Sequence, residues 1–206
     1  MVGDGPIVFL DVDGVLVCSR SLLSDYDDKD GTLVHDPLSV QFPLERRCLS
    51  QLRRVLEATK AKIVISSTWR LEPCMRSFLL HGLKVSGIAW ERIAGDTPVV
   101  RGGTRGQEIC AWLAAASRAK TPTKPEPVES VVGASDDGGR HSEGGDKPEA
   151  ANKVRFAILD DQHAEGFKEA GLLGSFVQTN LRNEKNPEQE GLTASLADRV
   201  IRLLTE

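Results

Sequence analysis

The stretch IVFLDVDGVLV, residues 7–17, constrains the fold of this chain more than any other segment. Its first four residues, Ile7 to Leu10, form a continuous apolar run, which is typical of a strand covered on both faces. Two aspartates one residue apart, Asp11 and Asp13, follow directly, and a second apolar run begins soon after them. Because unpaired buried charge is costly, the fold must supply something that neutralises these carboxylates.

Strands and helices alternate along the rest of the sequence. Further buried strands are predicted at Lys62–Ile65, near Arg92–Ala94, at Val154–Leu159 and in SFVQT, residues 175–179. Amphipathic helices are predicted from Pro43 to about Thr59, from Pro73 to His81, after Thr104, in a short stretch through Phe167, and over residues 193–204. This alternation predicts an α/β fold, a three-layer sandwich around a central, mainly parallel sheet.

Local signals define the ends of three of these helices. Pro43 occupies a first-turn position, where proline is tolerated, and Gly82 has the usual position of a C-terminal stop. Thr104 and Gln107 have the spacing of a capping box, so a helix is expected to begin there.

Two segments interrupt the alternation. Residues 17–42 are polar and turn-rich, and an Asp-Gly pair within DDKDGTLV favours a small hairpin or flap. Residues 119–152 are rich in Pro, Gly, Ser and acidic residues, which predicts a disordered insertion in a surface connection. Neither half of the chain has enough strands to fold alone, so we expect residues 1–206 to form a single domain.

Composition narrows the class of protein. The formal net charge of −4 and a pI near 5.7 give no sign of a polyanion-binding surface. The four cysteines are far apart with no C-x-x-C pair, which favours reduced thiols without a disulfide partner. The sequence has neither a secretory signal nor an apolar run long enough to span a bilayer, so we predict no membrane contact and a cytoplasmic or nuclear location.

Three predicted strands end in groups suited to chemistry: Asp11 and Asp13, Ser66 and Ser67, and Asp160 and Asp161. Ligands gather at the carboxyl ends of parallel strands, where carboxylates would repel one another unless a divalent cation lay between them. Hard oxygen donors with room for water suit Mg²⁺. A calcium-binding EF-hand loop is excluded, because Val15 and Leu16 stand where it needs an oxygen ligand and a glycine. A bound phosphate would account for the serines and for nearby arginines, since it needs a hydroxyl donor and a cationic clamp.

Three motifs resemble those of the haloacid dehalogenase-like (HAD) phosphohydrolases. DVDGVL at residues 11–16 is similar to their first motif, D-x-D-x-[TV]-[LV]. IVISS resembles the second, a strand ending in Ser or Thr, and AILDD resembles the fourth, a strand ending in acidic residues. SSTWR and TRGQEICAWL resemble, more narrowly, the HAD domain of the Swiss Army Knife RNA-repair proteins. The resemblance covers nearly the whole chain apart from the insertion, and it implies a Rossmann-like sandwich with a minimal cap.

The resemblance also implies roles for the acidic residues. Asp11 would be the nucleophile that attacks phosphorus in line to give an aspartyl-phosphate. Asp13 would protonate the leaving oxygen and then deprotonate the hydrolytic water. Asp11, the main-chain carbonyl of Asp13 and Asp160 would hold the magnesium ion. Asp161 would coordinate it through water or orient the other ligands.

The phosphate-binding residues are less sharply defined. Ser66 directly follows the apolar run and is favoured over Ser67 as the donor to a phosphoryl oxygen, although either serine could cap the helix that follows. For the third motif the family expects a Lys or Arg ahead of the strand at 154–159. Arg105 fits best and Arg101 is the alternative, unless either is a solvated surface residue.

Two residues that follow the serines have roles that no motif specifies. Arg70 is either a contact to the substrate phosphate or a salt-bridge partner. Trp69 is expected in the core or in the wall of a pocket rather than in catalysis.

The function implied by the resemblance is that of a magnesium-dependent phosphomonoesterase. Both cap positions of the family are short here, so we expect an open site that admits large or varied phosphorylated substrates, nucleic-acid ends among them. Two alternatives stay open. One is a catalytically silent module that binds partners through the insertion, and the other is a phosphotransferase that uses the same site with an acceptor other than water.

Overall fold

The computed structural model describes residues 5–19, 33–36, 39–120 and 154–206. Within these ranges the strands are β1 Ile7–Leu10, β2 Leu33–Asp36, β3 Ser39–Glu45, β4 Lys62–Ile65, β5 Ile93–Asp96, β6 Phe156–Asp160 and β7 Phe176–Gln178. The α-helices of the same ranges are α1 Arg46–Thr59, α2 Pro73–Val85, α3 Arg105–Lys120, α4 Glu165–Glu169 and α5 Ala194–Thr205.

Five of the strands form one sheet, in the order β5-β4-β1-β6-β7, and all of its pairings are parallel. The apolar run of β1 lies at the centre, paired with β4 on one side and β6 on the other. Each residue from Ile7 to Leu10 is fully buried, as a strand covered on both faces requires. The predicted α/β class with a mainly parallel sheet is therefore confirmed.

Successive side chains of a strand point to opposite faces of the sheet, so a strand that is apolar throughout has two faces to bury. Helices cover both of them. Val8 and Leu10 of β1 pack in a core with α1, α2 and α5. Ile7 and Phe9 pack in a second core with α3 and α4, where Trp112 of α3 meets Phe9 edge to face at 5.3 Å. These two cores give the predicted three layers.

The segment before α1 differs from the prediction. The helix expected from Pro43 begins at Arg46, because residues 39–45 pair instead with β2 as an antiparallel two-stranded sheet. Pro43 lies within β3, and a ladder of only two strands leaves positions where the missing N–H costs no hydrogen bond. The Asp-Gly pair at 30–31 lies outside the described residues, as does much of the predicted flap.

The predicted end of α2 is also wrong. The helix continues through Gly82, which is buried, and runs to Val85. The chain turns instead at Gly87, whose φ of 81° is in the left-handed region, and the Ile88 N–H then donates to the Leu83 carbonyl. A glycine inside a helix allows close packing, and this second role competed with the stop signal.

The remaining boundaries move by a few residues at most. The predicted strand at Arg92–Ala94 is found at Ile93–Asp96, and that at Val154–Leu159 is found at Phe156–Asp160. The helix α3 extends to Lys120, and residues 121–152 of the predicted insertion lie outside the described residues. None of the helices in the described ranges has the length and apolarity needed to cross a bilayer.

Candidate active site

The carboxyl ends of β1, β4 and β6 meet at one edge of the sheet. Backbone hydrogen bonds hold them there: the Asp11 N–H donates to the Leu159 carbonyl at 2.9 Å, and the Ser66 N–H donates to the Leu10 carbonyl at 2.9 Å. The polar residues that end these strands are therefore brought together, although they are far apart in the sequence.

Asp11, Asp160 and Asp161 form a carboxylate cluster at this edge. One oxygen from each lies within 4.8 Å of the others, Asp160 is fully buried, and Asp11 is 4% exposed. Three hard oxygen donors at this separation fit the coordination that Mg²⁺ prefers, with further positions for water and substrate oxygens. The donor set of this structure therefore fits the implied magnesium ion.

Gly14 makes room for one member of this cluster. Its φ is +70°, and a Cβ added there would lie 2.4 Å from the Asp161 Cβ and 2.5 Å from Asp161 Oδ2. A side chain would thus both strain the backbone and displace the Asp161 carboxylate. The glycine of DVDG is therefore part of the site, a role that the sequence motif did not reveal.

Arg105 is the cation that contacts two of the clustered carboxylates. Its Nη1 lies 3.0 Å from Asp11 Oδ1 and 3.0 Å from Asp160 Oδ2, and its side chain is only 9% exposed. Burial acts to lower its pKa, yet the charges of Asp11 and Asp160 together hold the pKa above the usual arginine value. Arg101 is exposed in the turn before the helix, so the geometry favours Arg105 as the cation of the third motif.

The N-terminus of α3 fixes the position of Arg105. The Thr104 N–H donates to Gln107 Oε1 at 2.9 Å, and the Gln107 N–H donates to Thr104 Oγ1 at 3.4 Å. This confirms the predicted capping box, and Arg105 stands in the first turn of the helix that it starts.

The clustered carboxylates perturb one another's protonation. Burial, followed by the charge of Asp11, raises the pKa of Asp160 to about 7, and the Arg105 guanidinium only partly opposes this. Burial together with the charges of Asp11 and Asp13 raises the pKa of Asp161 as well. These raised pKa values mean that the positive charge near the carboxylate cluster does not balance its negative charge. A divalent cation would supply the missing positive charge.

Asp13 is held by a tryptophan. Trp69 Nε1 donates to Asp13 Oδ2 at 3.0 Å, and the indole is 2% exposed. Burial raises the pKa of Asp13, the hydrogen bond from Trp69 opposes that rise, and the charge of Asp11 adds to it. Trp69 lies in the core as expected, but it also orients a candidate acid, and no local pattern in the sequence links residues 56 positions apart.

The two serines after β4 differ in their contacts. Ser67 Oγ accepts from the Trp69 N–H at 3.3 Å and caps the short turn at Thr68–Leu71. Ser66 Oγ is fully buried and has no hydrogen-bond partner among the described residues. Thr97 Oγ1 and Thr179 Oγ1, which follow β5 and β7, share this state. Buried hydroxyls without a partner are costly, so an anionic ligand that accepts from Ser66 would satisfy it.

Arg70 links the ends of β4 and β5 to the helix α3. Its Nη1 donates to the Ser66 and Ser67 carbonyls at 2.9 and 2.8 Å, its Nε donates to the Thr97 carbonyl, and its Nη2 pairs with Glu108 at 2.8 Å. The side chain is 3% exposed, so its donors are already engaged. Of the two roles left open for Arg70, the structure supports the salt-bridge partner.

The family comparison places the chain among known domains. The model of the HAD domain in Swiss Army Knife RNA repair proteins matches residues 7–123, which is more than half of the chain. Neither a curated protein nor a solved structure matches the sequence. The matched stretch runs from β1 to just beyond α3, so it includes Asp11, Asp13, Ser66 and Arg105. Asp160 and Asp161 lie outside it, and the fold brings them to the same edge.

Proposed function

Because this chain belongs to the family of HAD domains in Swiss Army Knife RNA repair proteins, we propose that it is a magnesium-dependent phosphomonoesterase that acts through an aspartyl-phosphate. Membership of the family itself indicates a HAD-type hydrolase. The pairing of Asp11 with Arg105 inside a buried carboxylate cluster supports the finer proposal most directly.

Asp11 is the proposed nucleophile. One carboxylate oxygen attacks phosphorus, the bond from phosphorus to the ester oxygen breaks, and the phosphoryl group is left on Asp11. An anionic nucleophile and an anionic phosphate repel each other, and Arg105 at 3.0 Å from Asp11 offsets part of that repulsion. When bound by Asp11, Asp160, Asp161 and the Asp13 carbonyl, Mg²⁺ would neutralise the remaining negative charge as a Lewis acid.

Asp13 is the proposed general acid and base. Its raised pKa lets it carry a proton to the leaving oxygen, and the carboxylate that results can then take a proton from the water that hydrolyses the aspartyl-phosphate. The hydrogen bond from Trp69 holds one oxygen, Oδ2, so that Oδ1 is the oxygen available for proton transfer.

Ser66 is the proposed donor to a phosphoryl oxygen. Its hydroxyl is buried at the tip of β4 and has no partner among the described residues, while Ser67 is already used as a cap. The carbonyls on both serines are held by Arg70, which would keep the Ser66 hydroxyl in place during the reaction.

Hydrolysis of p-nitrophenyl phosphate tests this proposal. We expect Mg²⁺-dependent turnover by the wild type and loss of turnover, by at least about a thousandfold, in Asp11→Asn. Asp198→Asn is a matched control, since Asp198 is half exposed and pairs with Arg54 on the surface. Equal turnover by wild type and Asp11→Asn would dismiss the nucleophile assignment. An inactive wild type that binds Mg²⁺ would favour the silent binding module.

The substrate class follows from a screen of phosphate release. The family description motivates oligonucleotides with 3′ or 5′ phosphates, and nucleotides, sugar phosphates and phosphopeptides are the competing classes. A preference for an oligonucleotide end would support nucleic-acid repair. Efficient transfer of phosphate to an added alcohol instead of water would support the phosphotransferase.

A further inference from the structure

Three side chains that metals commonly use meet away from the carboxylate cluster. The Cys18 thiol, the Glu45 carboxylate and the Cys48 thiol each offer one donor atom, and the three atoms lie within 4.8 Å of one another. All three residues are fully buried. We call them the thiol cluster, and it shares no residue with the carboxylate cluster.

Two separate stretches of chain supply this cluster. Cys18 follows the turn that begins with Asp11, Glu45 ends β3, and Cys48 lies in the first turn of α1. Glu45 and Cys48 are three residues apart at the start of a helix, which puts them on the same side. The Glu45 N–H donates to the Leu16 carbonyl at 2.8 Å and so holds the start of α1 against the turn that carries Cys18.

The spacing agrees with tetrahedral zinc. Zinc bonds sulfur at about 2.3 Å and carboxylate oxygen at about 2.1 Å, so a tetrahedral ion separates the two donors by roughly 3.6 Å. Cys48 Sγ lies 3.5 Å from Glu45 Oε2. Two thiols beside one carboxylate also favour zinc over magnesium, because Mg²⁺ binds through oxygen and rarely through sulfur.

Gly191 leaves the space around the sulfurs clear. A Cβ added there would lie 2.5 Å from Cys18 Sγ and 2.6 Å from Cys48 Sγ, and the φ of this glycine is +67°. The chain before α5 thus approaches both thiols as closely as only glycine permits. Gly191 is not one of the three metal-ligating residues, and its close approach encloses the cluster on a further side.

The charge around the cluster suits a metal complex. Two thiolates and a carboxylate around Zn²⁺ leave one net negative charge. Arg47, which also pairs with Glu188 at 2.6 Å, lies 3.3 Å from Glu45 Oε2 and offsets part of that charge. A thiol usually keeps its proton at neutral pH, and the hydrogen bond between Cys18 and Cys48, together with burial, raises the pKa of Cys18 further. Metal binding therefore releases two protons to solvent as the two sulfur–zinc bonds form.

We infer that Cys18, Glu45 and Cys48 form a structural zinc site that fastens the turn after the catalytic aspartates to the start of α1. A water or a further donor completes the four positions. The site adds stability to the loop that carries Asp11 and Asp13, and it takes no part in phosphate chemistry.

Cobalt substitution tests this inference on the full chain. We titrate reduced, metal-free protein with Co²⁺ in excess Mg²⁺, which occupies the oxygen ligands of the carboxylate cluster. One equivalent of Co²⁺ is expected to give near-ultraviolet sulfur-to-metal charge-transfer absorption and intense visible bands of tetrahedral cobalt, and added Zn²⁺ is expected to remove both. A folded wild type without the charge-transfer absorption would overturn the site.

Variants then identify the ligands. Cys18→Ser and Cys48→Ser are each expected to weaken the charge-transfer absorption and the binding of Co²⁺, whereas Cys74→Ser, at an exposed thiol, leaves both unchanged. Glu45→Gln keeps both sulfurs, so it is expected to weaken the binding of Co²⁺ and to keep the charge-transfer absorption. Circular dichroism establishes that each variant is folded. Unchanged cobalt spectra in both Cys18→Ser and Cys48→Ser would contradict the assignment. So would peptide mapping of the air-equilibrated, zinc-supplied protein that finds a Cys18–Cys48 disulfide in place of bound zinc.

Discussion

The carboxylate cluster and the thiol cluster are built alike but handle charge differently. Each brings together three metal-ligating side chains from two distant segments, and each is closed by a left-handed glycine, Gly14 or Gly191, at which an added Cβ would strike the ligands. Each also has an arginine beside it. Arg105 contacts two carboxylates of its cluster at 3.0 Å and is 9% exposed. Arg47 contacts one carboxylate of its cluster, that of Glu45, at 3.3 Å, pairs with the exposed Glu188 at 2.6 Å, and is 26% exposed.

The difference follows from the acidity of the ligands. A carboxylate usually loses its proton near pH 4, so three of them in one cluster need a cation to be ionised together at neutral pH. A thiol usually keeps its proton to above pH 8, so the two thiols cost little without a metal. The one buried carboxylate of their cluster, Glu45, is already paired with Arg47. We therefore expect the carboxylate cluster to depend on Arg105 and Mg²⁺, and the thiol cluster to form with or without zinc.

The largest effect is expected at the proposed active site, because the thiol cluster takes no part in the proposed chemistry. Asp13→Asn removes the proposed proton donor, and we expect turnover to fall by about 10² to 10⁴-fold, most for alkyl phosphates, whose leaving groups need a proton most. Trp69→Phe keeps the acid but loses the hydrogen bond at 3.0 Å, so a smaller decrease is expected. Steady-state rates on aryl and alkyl phosphates measure both. Equal losses on the two kinds of ester would contradict the acid role of Asp13.

The next effect compares the two arginines. Arg105→Ala leaves two buried carboxylates without their cation, and we expect the free energy of unfolding in EDTA to fall by about 3–5 kcal/mol. Arg47→Ala removes a half-buried cation that pairs with one buried carboxylate, Glu45, and with the exposed Glu188, so the expected loss is smaller. Urea denaturation measures both losses, and added Mg²⁺ should restore part of the stability only in Arg105→Ala. Equal losses in the two variants would contradict the expectation that the carboxylate cluster depends more on its arginine than the thiol cluster does.

The two glycines test whether the clusters are independent. Gly14→Ala should displace Asp161 and raise the Mg²⁺ concentration needed for half-maximal activity, while the sulfur-to-cobalt absorption persists. Gly191→Ala should remove that absorption and leave the Mg²⁺ requirement unchanged. Each substitution puts a side chain at positive φ and is expected to cost about 1–3 kcal/mol of stability. If both variants alter both metal responses to the same extent, the clusters are coupled.

The smallest expected effect is a dependence of the free energy of unfolding on pH. Burial raises the pKa of Asp160 from 3.8 to about 7, so between these values the folded chain keeps a proton that the unfolded chain has lost. This stabilisation is complete below pH 4 and is lost as the pH rises through 7, with a slope of at most about 1.4 kcal/mol per pH unit. The raised pKa of Cys18 acts only above pH 9 and adds nothing in this range.

Urea denaturation of the metal-free protein across that pH range measures the slope. We expect it to be reduced in Asp160→Asn and to be unaffected in Cys18→Ser. Saturating Mg²⁺ should also remove it, because the metal competes with the proton for Asp160. A wild-type stability that rises steadily from pH 4 to 7 without metal would contradict the proposed protonation of the cluster.

Sequence reasoning succeeded where the signal is contained in one short segment. The bounds of β1 and β4 were predicted to the residue, because a continuous apolar run specifies a strand buried on both faces. The capping box at Thr104 was predicted for the same reason, since both of its hydrogen bonds join residues three apart.

The prediction failed where a distant contact decides the local structure. Pro43 suits a first helical turn, but pairing of residues 39–45 with β2 makes it part of a strand. The partners of the candidate site were missed in the same way. Trp69 reaches Asp13 across 56 residues, and Arg70 reaches Glu108 across 38. Cys18 and Cys48 meet only because the turn after β1 lies against the start of α1.

The most direct test of the central claim is mass spectrometry of the acid-quenched enzyme during turnover of p-nitrophenyl phosphate with Mg²⁺. We expect a phosphoryl group on the peptide that contains Asp11. It should accumulate in Asp13→Asn, because hydrolysis of the acyl phosphate then lacks its base, and it should be absent without Mg²⁺. Turnover with Mg²⁺ that leaves no phosphoryl group on Asp11 in either protein, or that leaves it on another residue, would contradict the proposed aspartyl-phosphate mechanism.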